Sequence, residues 1–304
     1  MKNTRCNICP RKCNLNRESN AGFCGQTNEV YISKVMLHKF EEPCISGNCD
    51  CVQDNKGSGA IFFSGCNLKC LYCQNYDISQ ANAGKAVTIK TLANIFKQLE
   101  QAGALNINLV TPTHYSMQII EALKIYKPSI PIVWNSSGYE SKETIEALKG
   151  FVDVFLMDFK YFDNNLAKAF SNAENYPEIA KKALLTAKSI CPINVFDKDG
   201  IMQKGLIVRH LVLPNCIHDS KNILDWISTN MGNDTIVSIM SQYVPMHKAL
   251  TSNKINRRLK PIEYKSVVAY AKKLCLNNSY IQELSSSDTS YTPNFAENYS
   301  DFKY

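Results

Sequence analysis

The chain has 304 residues, of which 45% are hydrophobic and 20% are charged, and its formal net charge is +7. Its apolar runs fall short of the ~18 residues that a membrane helix needs, which predicts a globular, cytoplasmic protein that does not enter a membrane. Its lysines and arginines are scattered singly or in pairs, which argues against a nucleic-acid-binding stripe.

The start of the chain is rich in cysteine. Cys6, Cys9, Cys13 and Cys24 run as C-x2-C-x3-C-x10-C, which suits one four-thiolate site for zinc or for a second iron–sulfur cluster. The opening MKNTRCNICPRK lacks the apolar stretch of a secretory signal, so we expect reduced thiols. Because few large apolar residues recur here, residues 1–57 are predicted to be a small metal-stabilised segment.

The remaining isolated cysteines carry weaker signals. Cys44, in the segment EEPCISG, is a candidate additional metal ligand, and Cys49 and Cys51 look like part of a local insertion. Three more cysteines are predicted to be small buried apolar side chains: Cys191, Cys216 and Cys275.

The most specific pattern follows a short apolar strand predicted over residues 60–63. In CNLKCLYCQN, Cys66, Cys70 and Cys73 are separated by three and then by two residues, a pattern expected about 0.02 times by chance at this cysteine content. Three thiolates can hold three irons of a cubane cluster and leave the fourth iron open to another ligand. Structural zinc is the alternative, although zinc normally takes four protein ligands.

Strands and helices alternate along the rest of the chain. Further strands are predicted over 106–110, 131–134, 152–157, 205–213 and 235–240, and helices over 88–103, 116–126, 141–148, 176–190, 219–229 and 261–274. Together with the strand at 60–63, this pattern predicts an α/β fold, a partial (β/α)6 barrel, over residues 58–284. Residues 285–304 are expected to be a C-terminal tail.

Polar residues follow most of the predicted strands. Because the carboxyl ends of parallel strands meet on one face, we expect these side chains to share an active face. Asp158 and Lys160 alternatively form a simple ion pair at a strand end, and the histidines alternatively occupy hydrogen-bonded core positions. The candidates are Thr113, His114, Asn135, Ser137, Asp158, Lys160, Arg209 and His210.

The three-cysteine loop resembles the signature of the radical S-adenosylmethionine (SAM) superfamily. More specifically, the chain from about Cys6 to Phe295 resembles the pyruvate-formate-lyase-activating-enzyme-like family within it. The segments that carry this resemblance are EEPCISG, GSGAIFFSGCNLKCLYCQNYDIS, NINLVTPTHY, IVWNSSGYE, DFKY, GLIVRHLVLP, MSQYVP and NRRL.

The resemblance implies the cofactors and their ligands. It implies a [4Fe–4S] cluster on the three spaced cysteines, SAM bound at the open iron, and SAM contacts from Asp158 and Lys160, which match an Asp-x-Lys pattern. In related activators the second strand ends in a glycine-rich turn that contacts the SAM amino group. This sequence departs from that pattern, because Thr111, Pro112, Thr113 and His114 stand there.

The resemblance also implies an enzyme, a radical SAM oxidoreductase. The implied reaction is reductive cleavage of SAM to a 5′-deoxyadenosyl radical, which abstracts a hydrogen atom from a glycine of a partner glycyl-radical enzyme. A flavodoxin or ferredoxin would be the electron donor. One alternative is a radical SAM enzyme that acts on a small molecule or a peptide, and another is a zinc-stabilised interaction protein. The sequence assigns no catalytic residue.

Overall fold

The computed structural model describes residues 5–47 and 56–284, together with residues 293, 295 and 302. Cys49 and Cys51 lie outside the described residues, as does most of the predicted tail. Within the described part, one open sheet forms the centre, and its strands are Val30–His38 (β1), Ser58–Phe63 (β2), Lys85–Val87 (β3), Ile107–Val110 (β4), Ile132–Ser136 (β5), Val154–Asp158 (β6), Val195–Phe196 (β7), Met202–Leu211 (β8), Ile236–Met240 (β9) and Ser279–Ile281 (β10).

The strand order is β10-β9-β8-β6-β5-β4-β2-β1-β3, with β7 paired to β8. Neighbouring strands from β2 to β10 run parallel, whereas β1 pairs antiparallel with both β2 and β3. All six predicted strands are therefore present, and the predicted α/β fold with a parallel sheet that does not close is confirmed. β10 adds one more parallel strand at the far edge.

Helices connect the parallel strands and cover the sheet. Thr88 caps the helix after β3, because its hydroxyl accepts a hydrogen bond from the Thr91 N–H at 3.1 Å. That helix buries the predicted stripe from Leu92 to Leu99 against the core. The described helices are Pro43–Ser46 (α1), Tyr76–Ser79 (α2), Ile89–Gln101 (α3), Ser116–Ile125 (α4), Lys142–Ala147 (α5), Asn164–Ser171 (α6), Tyr176–Ile190 (α7), Ile217–Met231 (α8) and Pro261–Lys273 (α9).

Several described elements were not predicted from the sequence, and β1 and α6 are the two that bear on the site. The strand at 60–63 is not the first of the sheet, since β1 precedes it and pairs along its length. A second difference is α6, which occupies a stretch expected to be irregular; Asp163 caps it, and Asn172, in the left-handed conformation, ends it. The division of the chain after residue 57 stays a prediction, although β1 belongs to the central sheet.

Candidate functional site

A cavity of about 220 Å³ lies at the carboxyl ends of the parallel strands. Residues at or just after the carboxyl ends of β2, β4, β5, β6, β8 and β9 contribute to its wall, so these strand ends share one space. Its polar and sulfur-bearing lining includes Glu41, Cys66, Cys70, Cys73, Thr111, Asn135, Ser137, Asp158, Lys160, Arg209 and Gln242.

The residues from Cys66 to Cys73, here called the cluster loop, bring three thiols to one end of the cavity. Burial raises the pKa of each thiol, and that of Cys73 reaches about 11. The nearby Lys160 ammonium opposes this effect at all three sulfurs. A cation beside the three thiols favours the thiolate form that iron requires.

Hydrogen-bond donors surround the three sulfurs. The Leu68 N–H donates to Cys66 Sγ at 3.4 Å, and the Ser79 hydroxyl lies 3.1 Å from Cys73 Sγ. The Ser171 hydroxyl, at the end of α6, donates to Cys70 Sγ at 2.9 Å. Hydrogen bonds to ligand sulfurs are one of the means by which a protein tunes an iron–sulfur cluster.

A buried chain of hydroxyl groups continues from Ser171 into the core. Tyr161 Oη lies 2.7 Å from Ser171 Oγ, and Tyr72 Oη lies 2.6 Å from Tyr161 Oη. Because Tyr161 is fully buried and Tyr72 nearly so, these hydroxyls satisfy one another without solvent. The chain fixes the rotamer of Ser171 and therefore its position at the sulfur.

Opposite the cluster loop, Arg209 joins several elements. Its guanidinium donates to Asp158 Oδ1 at 3.2 Å, to Glu41 Oε2 at 3.0 Å and to Asn135 Oδ1 at 2.6 Å. Asn135 Nδ2 in turn donates to Glu41 Oε1 at 3.0 Å. The planar fork of arginine suits this simultaneous contact with three acceptors.

Asp158 and Lys160 form a direct ion pair, with Lys160 Nζ 2.5 Å from Asp158 Oδ2. Burial raises the pKa of Asp158, but the charges of Lys160 and Arg209 outweigh it and hold the pKa below its ordinary value. Burial likewise lowers the pKa of Lys160, and Asp158 more than restores it, so both groups are charged. The ion pair anticipated as the alternative is present, and it faces the cavity.

Two cavity residues have unusual local features. Thr111 has φ 58°, a left-handed value that is rare for a β-branched residue and marks a strained turn after β4. Ser137 contributes a buried hydroxyl that has no hydrogen-bond partner within the described residues. An unsatisfied hydroxyl in a cavity wall is a natural contact for a polar ligand.

Other sequence candidates do not line the cavity. Thr113 donates to Glu140 Oε1 at 2.6 Å, and His114 Nε2 lies 2.7 Å from the Ser64 carbonyl. His210 contacts the Phe159 carbonyl and the Ser220 hydroxyl, each at 2.8 Å. Burial lowers the pKa of His114 to about 3 and that of His210 to about 4, so both are neutral core residues.

The structure places the remaining cysteines in several environments. Cys9 and Cys24 are buried, and Cys6 and Cys13 are partly buried beside them. Cys44 packs in a separate apolar cluster with Ile45 and residues of the parallel strands. Cys191 and Cys216 are buried as predicted, whereas Cys275 is exposed because it follows the end of α9.

Sequence reasoning missed two contributors to the site. In the sequence, Glu41 stands out only as part of the segment EEPCISG. Nothing in the sequence pattern indicates that it contacts Arg209, 168 residues away. Ser171 lies in the helix that was not predicted, although the Asp163 cap was a local signal for it.

Comparison with known proteins resolves the class of the site. The family model of the radical SAM superfamily matches residues 60–197. The uncharacterized protein MJ0674 of Methanocaldococcus jannaschii is 35% identical over 285 residues, which cover 90% of this chain and 76% of that protein. The chain belongs to the radical SAM superfamily. A second uncharacterized protein of that organism, MJ0808, is 25% identical over 80% of this chain and 72% of its own length.

Solved radical SAM structures resemble this protein at lower identity. SuiB of Streptococcus suis, bound to precursor peptide SuiA, is 16% identical with a TM-score of 0.47 over 72% of this chain and 46% of SuiB. The FeFe-hydrogenase maturase HydG of Carboxydothermus hydrogenoformans is 14% identical with a TM-score of 0.49, over 71% of this chain and 50% of HydG. The chain thus spans about half the length of these solved proteins.

The radical SAM cofactors are a [4Fe–4S] cluster and SAM, and this site suits both. The three partly buried thiols of the cluster loop can serve as ligands for three irons, and the charged and hydroxyl groups of the same cavity can contact a zwitterionic nucleotide such as SAM. Within the described residues, no three His, Cys, Asp or Glu side chains already stand together as a metal site. Nor does any helix in the described part have the length and apolarity to cross a membrane.

Proposed function

We propose that this radical SAM enzyme activates a glycyl-radical enzyme by removing a hydrogen atom from a glycine of that partner. The observation that carries the proposal is the single cavity in which the cluster loop faces Asp158, Lys160 and Arg209. The ordered resemblance to activating enzymes, from EEPCISG to NRRL, supports the glycine as target. When bound, the cluster and SAM supply reductive cleavage of the SAM carbon–sulfur bond and a radical that abstracts hydrogen.

In this proposal, the side chains of the cavity bind SAM and fix its orientation. Lys160 offers a point cation to the SAM carboxylate, and Asp158 accepts a hydrogen bond from an ammonium or a ribose hydroxyl. Asn135 and Ser137 add an amide and a hydroxyl on the same wall. Arg209 fixes Asp158 and Asn135 relative to each other, so the contacts are in place before the ligand arrives.

Apolar side chains complete the enclosure. Leu68 and Tyr72 of the cluster loop line the cavity together with Ile78 and Tyr243, and each of the four is nearly or fully buried. This wall limits the access of water to the place where a radical would form. We place the reaction in the cytoplasm, with a one-electron donor such as flavodoxin or ferredoxin.

The experiment that tests this proposal uses deuterium to trace the hydrogen atom removed from glycine. The producing cells are grown on α-deuterated glycine, and their anaerobic extract is mixed with reduced, reconstituted enzyme and SAM. We expect deuterium in the released 5′-deoxyadenosine, together with a protein radical whose electron paramagnetic resonance signal narrows relative to that from undeuterated cells. Variants with Ala at Cys66, Cys70 or Cys73 serve as controls and should release no 5′-deoxyadenosine.

The outcomes separate the class of reaction from its target. Release of undeuterated 5′-deoxyadenosine without a glycyl radical would contradict the activating role and would favour a small-molecule or peptide substrate. Colourless protein that contains zinc in place of iron and cleaves no SAM would contradict the assignment of the cluster loop itself.

A further inference from the structure

The four N-terminal cysteines lie near one another, but their side chains do not already stand together as a metal site within the described residues. The Cys9 side chain is buried, and the Cys24, Cys6 and Cys13 thiols are close enough to act on it electrostatically. A Cβ atom placed on Gly22 would lie 3.5 Å from Cys24 Sγ and 3.6 Å from Cys13 Sγ. Cys13 and Cys24 are therefore neighbours in the fold although ten residues separate them in sequence.

Tight backbone turns hold these cysteines. The Lys12 N–H donates to the Cys9 carbonyl at 3.0 Å, and the Asn14 N–H donates to the Cys6 carbonyl at 3.0 Å. Lys12 and Asn14, on either side of Cys13, both have positive φ angles, 43° and 54°. Asn tolerates a positive φ readily, whereas Lys does so at an energetic cost, so the turn at Lys12 is held in place by its surroundings.

Backbone N–H groups also donate hydrogen bonds to sulfurs of the N-terminal cysteines, as one does in the cluster loop. The Phe23 N–H donates to Cys13 Sγ at 3.3 Å, and the Arg11 backbone makes a hydrogen bond to Cys9. Cys66 has the same arrangement, with its donor at Leu68, two residues further along the chain. Donors aimed at sulfur stabilise thiolates, which are the metal-binding form.

We infer that Cys6, Cys9, Cys13 and Cys24 form a closed four-thiolate zinc site that holds the cluster loop in position. Gaps of two and three residues fall within the range of structural zinc sites, and four thiolates leave no open coordination position. The spacing matches neither the bacterial nor the plant-type ferredoxin pattern. Arg17, whose charge acts on Cys24, offsets part of the negative charge of such a site.

Direct contacts connect this site to the cluster loop. The Cys66 N–H donates to the Cys24 carbonyl at 3.3 Å. Arg11 Nε donates to the Asn67 carbonyl at 2.8 Å, and Arg11 Nη1 donates to the Asn172 carbonyl at 2.5 Å. A metal that orders these turns therefore also orders the backbone around Cys66 and the helix end that carries Ser171.

Metal analysis of a triple variant isolates the second site. Protein with Ala at Cys66, Cys70 and Cys73 is purified anaerobically, its fold is checked by circular dichroism, and its zinc, iron and sulfide are measured. We expect roughly one zinc per chain, and its loss on further replacement of Cys9 with Ala but not of the buried Cys191. A folded triple variant with no zinc, or with iron and sulfide, would overturn the zinc assignment, and neither result depends on SAM cleavage.

Retention of iron tests the link to the cluster loop. With the cluster loop intact, Cys24→Ala should weaken iron retention against a chelator about tenfold, the lower range of outer-shell effects on metal affinity. Cys191→Ala is the matched control and should match the wild type. Should Cys24→Ala not fold, hydrogen exchange of the whole protein is measured before and after zinc removal. We expect residues 64–74 to lose protection, and unchanged protection there, or unchanged iron retention in folded Cys24→Ala, would overturn the inference.

Discussion

At the scale of single residues, we expect Ser171 to tune the electronic properties of the cluster, because its hydroxyl donates to Cys70 Sγ. Ser171→Ala removes the donor to Cys70 Sγ, and a thiolate without its hydrogen bond makes the oxidised cluster relatively more stable. We expect the midpoint potential to fall by about 60 mV, which for one electron is a tenfold change in the equilibrium constant. Dithionite titration followed by electron paramagnetic resonance measures it.

Two further variants control that measurement. Tyr161→Phe leaves the Ser171–Cys70 contact but removes the next hydroxyl of the chain, so we expect a smaller shift in the same direction. Ser189→Ala, in α7, removes a serine whose hydroxyl bonds only to its own helix backbone in the described contacts, and the potential should stay unchanged. An unaltered potential in Ser171→Ala would refute the tuning role.

The ion pair of Asp158 and Lys160 is tested through SAM affinity. If these groups hold SAM, Asp158→Ala or Lys160→Ala weakens SAM binding by about 1.5–3 kcal/mol, the usual worth of a hydrogen bond to a charged group. Calorimetry on cluster-loaded protein gives the Kd, and iron content shows that the cluster survives. Lys168→Ala is the control, because Lys168 forms a mostly exposed pair with Glu174. Equal Kd values in all variants would make the pair merely structural.

At the scale of elements, periodicity predicted the parallel strands and their helices but not β1. Its residues bury Val30 and Ile32 in alternation, and a register shift between Ile32 and Lys34 then changes the phase, so that Val35 is the next fully buried position. A bulge of this kind breaks the period-two pattern on which strand prediction depends. Prediction of α6 failed for another reason, since eight residues give barely two helical turns.

The contribution of β1 to stability is measurable. Ile32 is fully buried between β2 and the core, so Ile32→Ala should lower the free energy of unfolding by about 2–5 kcal/mol. Ile262→Ala is the matched control, because Ile262 is 72% exposed at the start of α9 and should change stability by less than about 0.5 kcal/mol. Urea unfolding compares them, and equal losses would contradict a structural role for β1.

Sequence-based prediction was also only partly successful for the site. Strand-end positions predicted Asn135, Ser137, Asp158, Lys160 and Arg209 on one wall, because parallel strands bring their carboxyl ends together. Strand-end positions alone could not predict which polar side chains point into the cavity and which pack into the core. Thr113 and His114 immediately follow the strained turn at Thr111, and their side chains pack into the core instead.

At the scale of the whole molecule, the buried carboxyl of Glu140 contributes to the dependence of stability on pH. Burial raises the pKa of Glu140 from 4.5 to about 7. Because the native state holds this proton more tightly than the unfolded chain, the free energy of unfolding falls as pH rises between those values, by about 3 kcal/mol in all.

Glu140→Gln removes this dependence and keeps an oxygen for Thr113. We therefore expect the variant to gain stability relative to the wild type as pH rises from 4.5 to 7, with a constant difference above pH 7. Urea unfolding across that range measures the difference. A difference that does not vary with pH would show that Glu140 titrates normally.

We expect the long-range contacts of Arg209 to set an order for the maturation of the protein. The three cluster cysteines lie within eight residues of one another, whereas Arg209 meets Asp158, Asn135 and Glu41 across 51, 74 and 168 residues. A chain still being synthesised, with β6 complete and β8 not yet made, already has every cysteine that the cluster needs. Ribosome-bound chains of that length should acquire iron without binding SAM, and SAM binding by them would contradict this order. Cluster loading would then belong to the assembly of the protein, and nucleotide binding would begin only with the finished fold.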